Sequence, residues 1–131
     1  MIADDGRIDW LPVPNLDSPP PFAALLDYEH GGWIELAPVA EFTVHREFIS
    51  GTNVLATTFK TSGGTVRVTD SLNTGVAGRL PWMELARRID GLDGTVEMGW
   101  KVAPGTMLGK ASPWAYATEH GTVLRVDGLT P

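Results

Sequence analysis

At 131 residues the chain has the length of one domain, enough to bury roughly two-thirds of the surface it would expose unfolded. Its 43% hydrophobic and 20% charged residues exclude a disordered tail or a fibre; no apolar run approaches the ~18 residues of a membrane span, and Met1 to Trp10 carries no charged leader followed by an apolar stretch. A formal charge of −6 without any Lys/Arg cluster argues against nucleic acid and anionic membranes as partners, and the absence of cysteine excludes disulfides and thiolate metal sites. A cytoplasmic chain with no cofactor is the expectation. The charge is uneven: Asp4, Asp5, Asp9, Asp17, Asp27, Glu29, Glu35 and Glu41 face only Arg7 in the first part of the chain.

In chain order, Asp5-Gly6 is a hairpin-turn signal with Met1-Ile2-Ala3 as its short leading arm and Ile8 to Val13 as the following one. Asp127-Gly128 is a second turn, near the other end. Two such shortened arms are expected of a segment of a longer protein; fraying of termini is the alternative. Pro12-Val13-Pro14 and Pro19-Pro20-Pro21 are stiff, extended stretches unsuited to a central strand. Pro21 to Tyr28, a proline leading into Phe22, Ala23, Ala24, Leu25 and Leu26 and followed by Gly31-Gly32, predicts one short helix of two turns.

From there the rhythm is two. Strands are predicted near Trp33 to Ala37, Phe42 to Ile49, Val54 to Lys60, Thr65 to Ser71, Met83 to Asp90, Val96 to Val102, Trp114 to Glu119 and Thr122 to Val126. Val96, Met98, Trp100 and Val102 form the cleanest apolar face, and Trp100 is expected in the core. Ser50 to Asn53, Ser62-Gly63-Gly64, Asp90 to Gly94 and His120-Gly121 supply turn residues that tolerate positive φ. Short strands at this spacing suggest a sandwich or a barrel. The reading adopted is an all-β, antiparallel β-sandwich with one short helix near the N-terminus, a single domain over residues 1–131.

Chemistry is harder to find. Glycoside hydrolysis needs two carboxyl groups about 5 to 10 Å apart across a sugar ring. The acids here, Asp9 and Asp17 among them, lie on polar faces or in turns where solvent exposure explains them. His30, His45 and His120 are isolated in sequence and form no metal-binding motif. Ser18 and Ser50 sit in proline- or glycine-rich loops rather than on a nucleophile elbow. Ser62-Gly63-Gly64-Thr65 lacks the lysine and the helix of a phosphate loop. Five tryptophans raise sugar stacking; Trp10, Trp33, Trp82 and Trp114 stand beside proline, glycine or strand ends, where partial burial is the commoner fate, and Trp10 is the one of most interest.

The order and spacing of several blocks carry a resemblance. Asp5-Gly6-Arg7-Ile8-Asp9-Trp10-Leu11 opens it, then Asp17-Ser18-Pro19 before Phe22-Ala23-Ala24-Leu25-Leu26. Thr52-Asn53-Val54-Leu55 and Thr65-Val66-Arg67-Val68-Thr69-Asp70 come next. From about Asp5 to about Pro104 the chain resembles the N-terminal region of bacterial glycoside hydrolase family 15 proteins, the glucoamylases, glucodextranases and trehalase-like enzymes. Asn15-Leu16 departs from the Arg-Phe pair common there. The resemblance implies a β-sandwich joined by a helical linker to an α/α-barrel that holds two catalytic glutamates of an inverting mechanism, with no counterpart of either in this chain.

By that resemblance the chain is expected to be a non-catalytic domain of an enzyme acting on α-glucosides, inactive alone, packing against the barrel. Trp10, Pro12, Asp17 and Ser18 would lie in a substrate-binding or barrel-facing loop. The partners implied are the barrel itself, α-glucan or trehalose, and a second copy covering the exposed barrel-facing surface as a homodimer. An independent carbohydrate-binding module is the alternative, and a free-standing hydrolase the third reading.

Overall fold

The computed structural model of the chain describes residues 1–13, 15–73 and 84–125. Among these, the strands are β1 (Arg7–Ile8), β2 (Gly32–Pro38), β3 (Thr43–Phe48), β4 (Leu55–Lys60), β5 (Gly64–Asn73), β6 (Glu84–Gly94), β7 (Met98–Pro104), β8 (Trp114–Thr118) and β9 (Gly121–Arg125). They make a sheet ordered β1-β2-β7, a sheet ordered β3-β4-β5-β6 and a two-stranded sheet of β8 and β9. The fold is all-β and antiparallel. Among the described residues no helix is long and apolar enough to cross a membrane. Met83, Val126, Trp82 and the Asp127-Gly128 turn lie outside the described residues.

The chain divides into two compact units, one of Met1–Ala3, Arg7–Glu35 and Trp100–Pro131, the other of Asp4–Gly6 and Leu36–Gly99. In the second, register places Val44, Phe59, Val66 and Gly91 in one row across the four-stranded sheet, with Arg46, Thr57, Val68 and Ile89 in the next. Directly opposed residues share a face. Only the middle of that face is closed: Phe59, Val66 and Val68 are buried against Leu36 of β2, with Phe42, Val96 and Met98 packed on the cluster. The Phe42 and Phe59 rings meet edge to face, centroids 4.9 Å apart at 83°. Antiparallel sheets with such a cluster are consistent with a β-sandwich, and the buried positions follow the period-two pattern read in the sequence.

Three expectations are corrected. Pro21 to Tyr28 forms turns rather than a helix. Leu26 and Asp27 N–H both bond to Ala23 O (2.9 and 3.1 Å), a single turn that does not propagate because the Asp27 carboxylate takes the Glu29 and His30 N–H groups that the next helical bonds would use; Ala23, Ala24 and Leu25 donate to Gly31 O, Gly32 O and Asp9 O. The expected turn at Asp90 to Gly94 is instead the end of β6. Val66 pairs with Gly91 and Thr65 with Asp93, a register shift that leaves Leu92 as the extra residue of a bulge. Trp100 is 72% exposed. Val96 and Met98 have the Phe59 cluster to pack on, whereas that exposure leaves the Trp100 indole without a covering layer.

Phe59, fully enclosed at the centre of the second unit, is the side chain on which its two layers meet. Phe59→Ala is expected to cost about 3–5 kcal/mol in urea unfolding, the range for emptying an aromatic core position.

Candidate functional site

The loop singled out in the sequence is closed at its base. Leu11 N–H donates to Phe22 O (2.9 Å) in an isolated antiparallel bridge, so residues 12–21 leave and return at one point. Gly105 N–H donates to Pro21 O (2.8 Å) and fixes the returning arm. Gly105 is buried there, and the close approach requires glycine because a Cβ on it would overlap the Gly31 carbonyl. Trp10 and Pro12 stand at this base, Trp10 half-buried with its carbonyl accepting from the Met1 amino group, and Pro12 buried. Asp17 and Ser18 lie at the tip. There Ser18 Oγ accepts from Asn15 N–H (3.1 Å) and Ser18 N–H donates to Asn15 O (3.1 Å), while Leu16 and Asp17 are exposed. Base and tip are separate features of one loop, and Ser18 is occupied in holding the turn.

Beside the loop, Arg7 lies against two rings, its guanidinium carbon 4.9 Å from the Trp33 centroid and 5.3 Å from that of Tyr28. Trp33 is half-buried and committed to this contact. Glu35, opposite Arg7 in register, accepts from Lys101 Nζ at 3.3 Å. After the loop, Asp27 organises the next turn: its Oδ1 accepts from the N–H groups of His30 (3.0 Å) and Glu29 (3.2 Å). These bonds, the His30 N–H foremost, hold the Asp27 carboxyl below its ordinary pKa.

In the second unit a buried ion pair escaped the sequence reading. Arg87 Nε donates to Asp70 Oδ1 at 2.6 Å, and its Nη2 donates to Asp70 Oδ2 (3.3 Å) and to the Gly6 carbonyl (2.9 Å). Asp70 and Arg87 are 2% and 9% exposed. The signal was present in Val66, Val68 and Asp70: period two puts an acid on the core face, where it needs a cation. Arg87 Nη1 and Thr57 Oγ1, on the same sheet face, are buried with no hydrogen-bond partner among the described residues.

The flanks of that face are open. Every residue of β3 is exposed, including Val44 and Phe48, and so is Ile89 of β6. Val44 and Phe48 lie directly across from the buried Phe59 and Leu55. Among the described residues no group of three or more His, Cys, Asp or Glu side chains is placed to hold a metal ion.

Comparison with known proteins points to trehalases. The chain is 26% identical over 130 residues to a trehalase of Thermoplasma volcanium, an alignment covering 97% of this chain and 21% of that protein. It is 39% identical over 75 residues to Trehalase 1 of Sulfolobus acidocaldarius, 56% of this chain and 13% of that protein. It is 34% identical over 89 residues to the trehalase of Mycolicibacterium smegmatis, 67% and 12%. The chain thus spans about a fifth or less of the curated relatives it matches. No family model and no solved structure matches it.

Two measurements check these contacts. Arg87→Met leaves Asp70 charged and enclosed and is expected to cost about 3–5 kcal/mol of stability in urea, with part recovered when Asp70→Leu is added. Because folding lowers the Asp27 pKa, its stabilising contribution is complete above the unfolded-chain value and disappears as pH falls through the folded one. An NMR titration is expected to place the Asp27 midpoint below that of the urea-unfolded chain, with the His30 amide shift moving through the same midpoint.

Proposed function

We propose that this chain is a non-catalytic β-sandwich domain of a trehalase-like glycosidase of glycoside hydrolase family 15. It packs on the helical catalytic barrel and lends residues 10–21 to the mouth of the active site. The barrel supplies the acid and the base of an inverting reaction on an α-glucoside, and the whole acts in the cytoplasm without a cofactor. Trp10 and Pro12 anchor the loop in this reading, and Asp17 and Ser18 present its tip to the barrel or the substrate.

The observation that carries this reading is the coverage: trehalase relatives align along nearly the whole chain while it accounts for about a fifth of their length. The open sheet flank supports it. Val44, Phe48 and Ile89 continue a core face beyond the layer that covers it, as a surface made to meet another body would. The exposed Trp100 indole favours a second reading, an independent carbohydrate-binding module.

Calorimetric titration separates the two. The chain is expected to bind the catalytic region of the M. smegmatis trehalase and to give no saturable heat with trehalose or maltooligosaccharides. Sugar heat abolished by Trp100→Ala establishes the module instead. Trehalose hydrolysis by the purified chain alone overturns both.

A further inference from the structure

We infer that the β8–β9 hairpin is the element that docks this chain on the catalytic region of a trehalase-like protein, with Trp114 and Tyr116 as its anchors, an inference that rests on the non-catalytic-domain reading. Among the described residues β8 and β9 pair with each other and with no further strand, and every residue of both is exposed. A two-stranded hairpin in water is marginally stable without a third strand or a packing partner. This one carries residues suited to a covered surface. Register puts Trp114 opposite Arg125 and Tyr116 opposite Val123 on one face, with Ala115, Leu124, Ala117 and Thr122 on the other.

The aromatic face fits a protein better than a sugar. Trp114 and Tyr116 are 45% and 41% exposed, yet their rings stack on one another, centroids 4.9 Å apart and 30° between planes. The Arg125 guanidinium carbon lies 5.9 Å from the Trp114 centroid. One face of each ring is therefore engaged inside the hairpin and closed to a pyranose. Tryptophan, tyrosine and arginine gathered at one spot are the composition of an interface hot spot. The alignment supplies the occupant: 97% of this chain matches the T. volcanium trehalase, a span too long to omit the hairpin, and about four-fifths of that protein lies beyond the match.

The test is amide hydrogen exchange of the 131-residue chain, alone and with the part of the T. volcanium trehalase that lies beyond the match. Amides of residues 114–125 are expected to exchange rapidly in the free chain and to slow at least tenfold in the complex. Trp114→Ala and, separately, Tyr116→Ala are expected to weaken association about 30-fold, the scale of a hot-spot aromatic. Unchanged exchange of the Ala23, Ala24 and Gly105 amides, which lie in the hairpin's own unit, together with that of β4 and β5 shows that each variant is folded, and Glu119→Gln at the hairpin tip is expected to bind as the parent chain does. Association that protects residues 44–48 and leaves 114–125 fast overturns the hairpin assignment while the domain reading stands. No association overturns both. Hairpin protection that rises with chain concentration, without the trehalase part, makes a second copy the occupant and overturns the proposal.

Discussion

A carboxylate withdrawn from water costs several kcal/mol unless a cation and hydrogen bonds replace the solvent, and Asp70 meets that condition through Arg87. The same guanidinium holds the Gly6 carbonyl. One side chain thereby links β5, β6 and the turn that precedes β1. The link also depends on glycine at position 6: its φ is +78°, and a Cβ there would overlap the Leu36 carbonyl oxygen. The Phe59 cluster supplies the apolar area of this unit, but the ion pair sets the placement of the Gly6 turn. A shifted register would turn Asp70 away from Arg87 and leave a charge buried without a partner.

The first unit is organised by backbone rather than by a large apolar core. Ala23, Ala24 and Leu25 spend their N–H groups on Gly31, Gly32 and Asp9, and Gly105 spends its own on Pro21. Prolines that cannot donate fill the loop between, so few donors there need partners. The consequence is a loop with a fixed base and an exposed tip, in which Trp10 and Pro12 belong to the fixed part and Asp17 to the presented part. That division is what a domain needs if it is to offer a loop to another body without deforming its own scaffold.

Uncovered apolar surface recurs at the Val44 and Phe48 flank, at Trp100 and along the Trp114 hairpin. Single exposed apolar side chains are ordinary, but a flank continuous with a core face and a hairpin with no third strand among the described residues are not. Both make physical sense in a chain that meets a larger body, which agrees with relatives several times its length. Arg46 and Glu47 on the edge strand β3 place charge where unwanted strand pairing would otherwise begin.

The sequence by itself determined the strands, because alternation and glycine-rich turns are local properties that two faces of unlike polarity impose on any chain; β2 to β5, β8 and β9 fall where the pattern put them. Asp70 was legible as an acid on a core face. Alternation also puts Arg87 on the face of Leu85 and Ile89 and Arg88 on that of Glu84 and Asp90, but which cation meets Asp70 depends on the register between β5 and β6, which no local pattern states. Tertiary structure alone decided three other matters. It tied Ala23, Ala24 and Leu25 to Gly31, Gly32 and Asp9 where the pattern predicted a helix, it absorbed Leu92 into a bulge, and it left Trp100 outside although Met98 on the same strand is packed. Periodicity fixes which side of a strand a residue occupies; whether another layer covers that side depends on contacts between segments far apart in the chain.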